Sequence, residues 1–343
     1  MIKKIIKAVN SVFGNFVRVQ SRLSFDEARK CLQETNPKPK GTCYTKNKLA
    51  IQYDLHIIIP AYNAEKYIKE CLESVFIQVS EYSVLATVVN DGSTDQTSII
   101  LENLKKLYKG NQIDIEIINQ DNKGYSGARN TALSFIRGKY IIFLDADDVL
   151  PQDTIEVMLD TAYEYDADIL QGSWYTFTNE KKKEHRVKES GKESGSQGYI
   201  SGYPWGKLYK YSVLENFQFP DGYWFEDTPI SFILAALPFK CISIDNIVYG
   251  YRLNSEGITS KAVYSEKSID SYWITEQCLK EFPKFKVHYD QKAYEYLLQQ
   301  SIMNAWRIRK QKRKVRESEF VLITKLMDDY FKGFHTKNAN MSK

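Results

Sequence analysis

The sequence has only five cysteines, Cys31, Cys43, Cys71, Cys241 and Cys278, and they are scattered. The number is odd and no Cys-x-x-Cys pair occurs, so no disulfide framework can be read from them. Such usage fits a reducing compartment, and the chain reads as cytoplasmic. Cys71 falls on a helix pattern and Cys241 in a strand-like run, where a thiol acts as a small core-filling hydrophobe. Only four histidines are present. With no His/Cys cluster, zinc is an unsuitable metal. No apolar stretch reaches the length needed to span a bilayer. The amino terminus is basic and then apolar, but its apolar positions are interrupted and no small-residue cleavage site follows, unlike a signal peptide. No internal repeat is visible. The formal net charge is only +4, too small to argue for nucleic acid as a partner.

What is present is ordinary for a globular protein. The 343 residues are 43% hydrophobic and 26% charged, enough for one large domain with appendages or two modest ones, with a sizeable core. Charge is distributed unevenly. Residues 1–50 carry far more Lys and Arg than Asp and Glu, and a second basic run holds Arg307, Arg309, Lys310, Lys312, Arg313, Lys314 and Arg316. Two basic ends on a near-neutral body point to an anionic surface as partner. Ile2, Ile5, Ile6, Val9, Val12, Phe13, Phe16 and Val17 recur at helical spacing with Lys3, Lys4 and Lys7 between them. This pattern predicts an amphipathic helix. Two readings stay open for it: a helix lying on the inner face of the cell membrane, or one docked on the protein itself. The Arg307–Arg316 run is open in the same way, as a membrane contact or a solvated helix face. Residues 35–54, with Asn36-Pro37-Lys38-Pro39-Lys40-Gly41, read as a linker.

From Leu55 the pattern becomes strand and helix in alternation. Leu55 to Ile59 is an apolar run stopped by Pro60, as expected of a buried parallel strand. A helix over 64–79, a strand over 84–89, a helix over 93–108, a strand over 113–118, a helix over about 126–136, a strand over 140–144 and a helix over 153–165 follow, and Asp168 opens another strand. This alternation predicts an α/β fold with a mostly parallel sheet flanked by helices. Right-handed crossovers place the loops after the strands on one edge, where ligands of such sheets bind. Residues 179–196 read as a mobile loop, 229–237 as an apolar helix, 239–252 as strands and 266–330 as helical. The expected division is an amphipathic extension and linker over 1–50, the α/β domain over 51–260 and a helical region over 261–343.

The acids fall where such a site would be. Asn90-Asp91-Gly92-Ser93-Thr94-Asp95 follows the second strand, and Asp145-Ala146-Asp147-Asp148 follows the fourth. Carboxylates gathered on one edge repel each other unless a cation lies among them. Mg²⁺ or Mn²⁺ takes oxygen ligands and bridges carboxylates to substrate phosphates. Each acid has a plainer alternative. Asp91 before Gly-Ser-Thr suits a turn or helix cap, and Asp148 and Asp153 suit capping of the next helix. Asp145 and Asp147 at the mouth of an all-apolar strand fit that explanation less well.

Four segments, in order, resemble the family-2 glycosyltransferases, inverting enzymes of the GT-A fold. They are Ile57-Ile58-Ile59-Pro60-Ala61-Tyr62-Asn63, Asn90 to Asp95, Asn122-Lys123-Gly124-Tyr125-Ser126-Gly127-Ala128-Arg129-Asn130, and Asp145 to Asp148. The resemblance spans roughly 55–255 and implies a Rossmann-like GT-A domain using a nucleotide-sugar donor, UDP-sugars first. By that resemblance Pro60, Ala61, Tyr62 and Asn63 line the nucleotide pocket. Asp91 accepts from the base edge, Asn122, Gly124 and Arg129 hold nucleotide and diphosphate, Asp147 ligates the metal, and Asp145 with Ala146 contacts ribose or sugar. Asn90 stands where many members have a second Asp. Inverting transfer needs a general base for the acceptor hydroxyl. Glu226-Asp227 lies where the family has a Glu-Asp pair, implying Asp227 as base and Glu226 beside the acceptor, although acids before an apolar helix also suit its dipole. Trp205-Gly206-Lys207-Leu208-Tyr209 resembles a Trp-Asn-Lys-Leu-Tyr segment, with Trp205 and Lys207 on the acceptor side; Trp205 as a core residue remains the other reading. Arg252 suits a phosphate clamp, but the His that often follows in this segment is absent.

The implied activity is transfer of a sugar to a glycan or lipid-linked acceptor in surface polysaccharide synthesis. The processive synthases carry membrane spans and a Gln-x-x-Arg-Trp motif that this sequence lacks, and the Gly-rich, Lys-containing loop of nucleotidyltransferases is missing after the first strand. A non-catalytic carbohydrate-binding or scaffolding protein on the same fold is the alternative; loss of Asp147 or Asp227 would point to it, and both are present.

Overall fold

The structure is a computed structural model, and it describes residues 23–191, 200–254 and 262–334. The amphipathic pattern over 2–17 lies outside them. The chain divides into two compact units, one formed by described residues 42–191, 200–221 and 237–254, the other by 23–41, 222–236 and 262–334.

The larger unit is built on an eight-stranded sheet. Its elements are β1 (Lys48–Ala61), β2 (Val84–Asp91), β3 (Ile113–Gln120), β4 (Phe135–Phe143), β5 (Ile169–Phe177), β6 (Lys182–His185), β7 (Lys207–Lys210) and β8 (Cys241–Arg252). The order is β3-β2-β1-β4-β7-β5-β6, with β8 beside β5. β1 pairs in parallel with both β2 and β4, and β2 with β3. β7 runs antiparallel to β4 and β5, and β8 is parallel to β5. This is the mostly parallel, helix-flanked sheet that the alternation predicts. In the numbering used here the described helices are α1 (Phe25–Thr35), α2 (Ile68–Phe76), α3 (Thr97–Leu107), α4 (Gly124–Leu133), α5 (Thr154–Glu164), α6 (Tyr211–Leu214), α7 (Thr228–Phe232), α8 (Asp270–Glu281), α9 (Gln291–Arg307) and α10 (Arg313–Tyr330).

The central strands are buried on both faces. Leu55, Ile57, Ile59, Ala86, Val88 and Ile142 form one core with Cys71, Leu72 and Val75 of α2, Leu101 and Leu104 of α3, and Met158 and Leu159 of α5. Helix α4 lies along β1, β2 and β4. That double coverage explains why these strands read as unbroken apolar runs rather than alternating ones.

Several boundaries differ from expectation, each for a physical reason. Pro60 does not stop β1, which continues to Ala61. Pairing with β4 ends at Ile58↔Phe143, so beyond it that side of β1 has no ladder for the missing proline N–H to break. Residues 48–54, read as linker, are strand, paired to β4 from Lys48↔Phe135 onward. The helix expected over 126–136 therefore ends at Leu133 and β4 starts nine residues before Leu144. The segment read as a loop from 179 contains β6, whose charged residues pair with β5. The apolar helix expected over 229–237 is the short α7 followed by a 3₁₀ turn, Leu234–Ala236. Residues 241–252 are one strand.

In the smaller unit α1 is closed by a capping box. The Glu27 N–H donates to Ser24 Oγ, and the Ser24 N–H donates to Glu27. Glu276 of α8 is a buried carboxylate ringed by Arg29 at 2.6 Å, Lys38 at 2.7 Å and Lys280 at 3.1 Å. The Asn36 amide donates to Asp270 Oδ1, and Trp273 Nε1 donates to the Asn36 carbonyl. The basic run at 307–316 is not one solvated face. Lys310, Lys312, Arg313 and Lys314 are exposed, whereas the Arg307 guanidinium lies 3.7 Å over the Phe225 ring.

Candidate functional site

The ends of β1, β2 and β4 are neighbours, because β1 lies between the other two. Asp91 ends β2, and Asp145 follows β4 by two residues. With strands about 4.8 Å apart, the two acids flank the β1 end at Pro60 and Ala61, after which Tyr62 and Asn63 lead into the loop. Tyr62 is exposed. Asn63 adopts a positive φ of 48°, which asparagine tolerates. The loops after β1 and β2 clasp each other. The Asn63 N–H donates to Ser93 Oγ (3.0 Å) and the Thr94 N–H donates to Asn63 Oδ1 (2.8 Å). The Glu65 N–H donates to Asp95 and the Gln96 N–H donates to Glu65.

Asp91 is buried, and one oxygen accepts from Gln120 Nε2 (2.6 Å) and the Lys123 N–H (2.9 Å). It thus pins the entry to α4. Asn90 explains its own departure from the family pattern. Its amide donates to Ser98 Oγ and Asn119 Oδ1, which an aspartate could not do. Gly92 has φ 73°, and a Cβ there would come within 2.9 Å of the Asn122 backbone nitrogen. Only glycine permits this approach. Asn122 is exposed, and its Oδ1 accepts from the Gly124 N–H, a local turn that opens α4.

The Asp145–Asp148 turn is held from several sides. Arg129 is buried on α4 and donates to Asp145 Oδ1 at 2.7 Å, with its guanidinium 5.2 Å from the Phe219 ring centroid. It is therefore engaged with an acid. Asp148 is buried and accepts from Tyr249 Oη and from the Arg252 N–H, each at 2.7 Å. Burial, with Asp145 and Asp147 beside it, pushes its carboxyl well above the ordinary aspartate value. Asp148 thus fastens the turn to β8 and does not cap α5. Asp153 takes the cap position of α5, but in a left-handed conformation and without a side-chain cap bond. Tyr249 Oη also accepts from the Asp145 N–H (3.2 Å). Arg252 donates to the Asp147 carbonyl (2.7 Å) and to Glu70 (2.6 Å), and its guanidinium lies over Phe177 and Tyr67. A phosphate clamp was the expectation for Arg252; here its guanidinium is committed to protein oxygens. Tyr249 and Glu70 gave no signal in the sequence, since a tyrosine in an apolar strand and an acid on a helix are commonplace.

Asp147 remains as the acid that fits a cation. Burial and the neighbouring Asp145 charge both raise its pKa from the ordinary aspartate value, and a divalent ion would relieve both effects. Among the described residues no three His, Cys, Asp or Glu side chains are grouped as a metal cage.

On the expected acceptor side, Trp205 is only 8% exposed and is sandwiched by Tyr203 (4.6 Å) and Tyr249 (4.7 Å). Lys207 is buried, and its ammonium donates to Ser201 Oγ, the Tyr203 carbonyl and the Trp205 carbonyl. Both residues build the loop rather than face solvent. Gly206 has φ 66°. Glycine and asparagine share that region, so Gly in place of the family's Asn keeps the turn.

Glu226 and Asp227 belong to the smaller unit and are half-buried. Asp227 precedes α7, whose start is set by Pro229. The Trp224 N–H donates to Asp270 Oδ2 (3.1 Å), and Arg307 covers Phe225. Arg307 is half-buried, and desolvation of its guanidinium depresses its pKa, while Asp227, Glu226 and Glu319 favour its charge.

With this geometry in hand, the chain can be set beside known proteins. The glycosyl transferase family 2 model matches residues 56–225. Glycosyltransferase GlyA of Streptococcus pneumoniae is 32% identical over 230 residues, which are 62% of this chain and 32% of GlyA. The chain thus spans about a third of that relative's length. Among solved structures, residues 1–349 of S. aureus TarS in complex with UDP-GlcNAc superpose with a TM-score of 0.52 at 18% identity, covering 79% of this chain and 92% of that one. The Pyrobaculum calidifontis mannosyltransferase PcManGT, in complex with GDP-Man and Mn²⁺, superposes with a TM-score of 0.52 at 14% identity, covering 95% and 87%. Likeness at these identities establishes the GT-A type of fold.

Proposed function

The chain belongs to glycosyl transferase family 2 through residues 56–225, and from that premise we propose that it transfers a sugar from a nucleotide-diphosphate donor to a hydroxyl of a glycan or lipid-linked acceptor in polysaccharide synthesis, with inversion at the anomeric carbon. One observation carries this reading. Asp91 and the Asp145–Asp147 pair stand at the carboxyl ends of two strands that flank β1, where open α/β sheets bind ligands.

In this reading the Pro60–Asn63 turn, Asn122 and Gly124 surround the nucleoside. Asp91 accepts from the base edge, which favours uracil and makes UDP-sugars the first donors to try. Asp147 holds Mg²⁺ or Mn²⁺, which supplies charge stabilisation for the departing diphosphate. Asp145 and the backbone at Ala146 contact ribose or sugar, and Arg129 fixes the Asp145 carboxylate. Arg252 keeps the Asp147 backbone in place through the Asp147 carbonyl. Asp227 takes the proton of the acceptor hydroxyl as the oxygen attacks the anomeric carbon, for a gain of roughly 10²–10⁴ in rate. Glu226 contacts the acceptor. The basic residues at both ends would favour an acceptor at an anionic membrane surface. Among the described residues no helix is long and apolar enough to cross a membrane.

The test is a donor-hydrolysis screen over UDP-, GDP- and dTDP-sugars with Mn²⁺, followed by acceptor screening with the best donor. Turnover of at least one donor is expected. A chain that binds sugars but turns over none of the panel would favour a carbohydrate-binding role.

A further inference from the structure

The aromatic residues of β5, β8 and the Ser201–Gly206 loop form a layered stack in the larger unit. Tyr249 and Tyr251, on one face of β8, form the lowest layer. The Trp205 ring lies flat over both, at 4.7 Å and 5.2 Å. Tyr203 lies over Trp205 at 4.6 Å with only 5° between ring planes. Trp174 meets Tyr203 and Trp205 edge-on and stacks its own face on His185 at 5.2 Å. Burial falls steadily along this series. Tyr249 is 1% exposed, Trp205 8% and Tyr203 43%.

Two features separate this stack from ordinary core packing. The first is its foot. Tyr249 Oη bonds both Asp148 and the Asp145 backbone, so the stack rises from the acid turn itself. The second is its loop. The buried Lys207 ammonium donates to the Tyr203 carbonyl at 2.6 Å, to Ser201 Oγ at 2.7 Å and to the Trp205 carbonyl. Burying an ammonium is costly unless its hydrogen bonds are made, and here they fix the three residues that present Tyr203. A rigid, exposed ring on a pre-organised loop loses little entropy on binding. An aromatic face suits the C–H face of a pyranose.

We propose that Tyr203, supported by Trp205 and flanked by Trp174 and His185, is a stacking subsite for a pyranose ring of the acceptor glycan. The inference rests on the transferase reading and adds the residue on which the acceptor lies. It moves the acceptor contact from Trp205, whose faces are covered, to the ring above it.

The experiment uses the full chain with UDP and Mn²⁺ and three probes: cellobiose, N,N′-diacetylchitobiose and methyl α-mannoside. Saturation-transfer NMR is read for wild type, Tyr203→Ala and Tyr203→Phe, and UDP affinity is titrated separately for each. Saturation of the ring protons of at least one probe is expected in wild type and in Tyr203→Phe. Tyr203→Ala should bind that probe about tenfold more weakly with UDP affinity unchanged. No saturation with any probe, or Tyr203→Ala binding like wild type, overturns the subsite. Failure of wild type to bind UDP, and then GDP and dTDP in the same titration, would instead defeat the transferase reading, so the two failures are distinct.

Discussion

Replacing Glu276 with Gln tests how the smaller unit, which carries Glu226 and Asp227, is held together. Glu276 is buried among Arg29, Lys38 and Lys280. Burial alone would raise its carboxyl, but the hydrogen bonds from Arg29 and Lys38 reverse that and bring it from 4.5 to about 2. At 1.36 kcal/mol per pKa unit, the charged form is stabilised by roughly 3 kcal/mol in the fold. Burial also pulls the Lys38 amine down, which returns part of that gain. The glutamine variant should therefore lose about 2–3 kcal/mol at pH 7, since three cations keep their positions without their counter-charge. The folded pKa lies below the unfolded one. The contribution is thus complete above pH 4.5 and disappears as pH falls through about 2. Urea denaturation of both proteins at pH 7, 5 and 3 measures this. The gap between them should be largest at pH 7 and 5 and narrow at pH 3. A gap below about 0.5 kcal/mol at pH 7, or one that does not change with pH, would refute the electrostatic account of this cluster.

Asp227→Asn should leave UDP-sugar affinity close to wild type while transfer falls by about 10²–10⁴, measured as kcat and KM once an acceptor is found; full activity would remove Asp227 from the base role. Gly92→Ala should cost about 1–3 kcal/mol, because φ is 73° and the new Cβ would come within 2.9 Å of Asn122. Its thermal midpoint should fall and UDP should bind more weakly through the displaced Asn122; unaltered melting would contradict the close approach. Deleting residues 1–20 should reduce co-sedimentation with anionic vesicles, and unchanged sedimentation would favour a helix docked on the protein.

The parts of the fold set by short-range rules were legible in the sequence. Apolar runs at the pitch of strand and helix marked β1 to β5, and acids directly after β2 and β4 marked the sheet edge. What escaped depends on distant partners. β7 is four residues long and is a strand only because β4 and β5 lie on either side of it. β6 is charged and exposed and is ordered by its pairing with β5. Pro60 is a breaker by local rules, yet the ladder it would break ends before it. Arg307 counted as one charge in a basic run until Phe225 was found beneath it. The candidate site divides in the same way. Asp91, Asp145 and Asp147 could be placed from the sequence. That Arg129 is engaged by Asp145, Arg252 by Glu70 and Asp148 by Tyr249 required the structure.

The most direct measurement of the central claim is calorimetric titration of UDP into the protein with and without Mn²⁺, for wild type and Asp147→Ala. The account predicts that Mn²⁺ strengthens UDP binding to wild type at least tenfold, and that Asp147→Ala binds UDP equally with and without the ion. Binding that is indifferent to Mn²⁺ in wild type, or strengthened equally in both proteins, would contradict it.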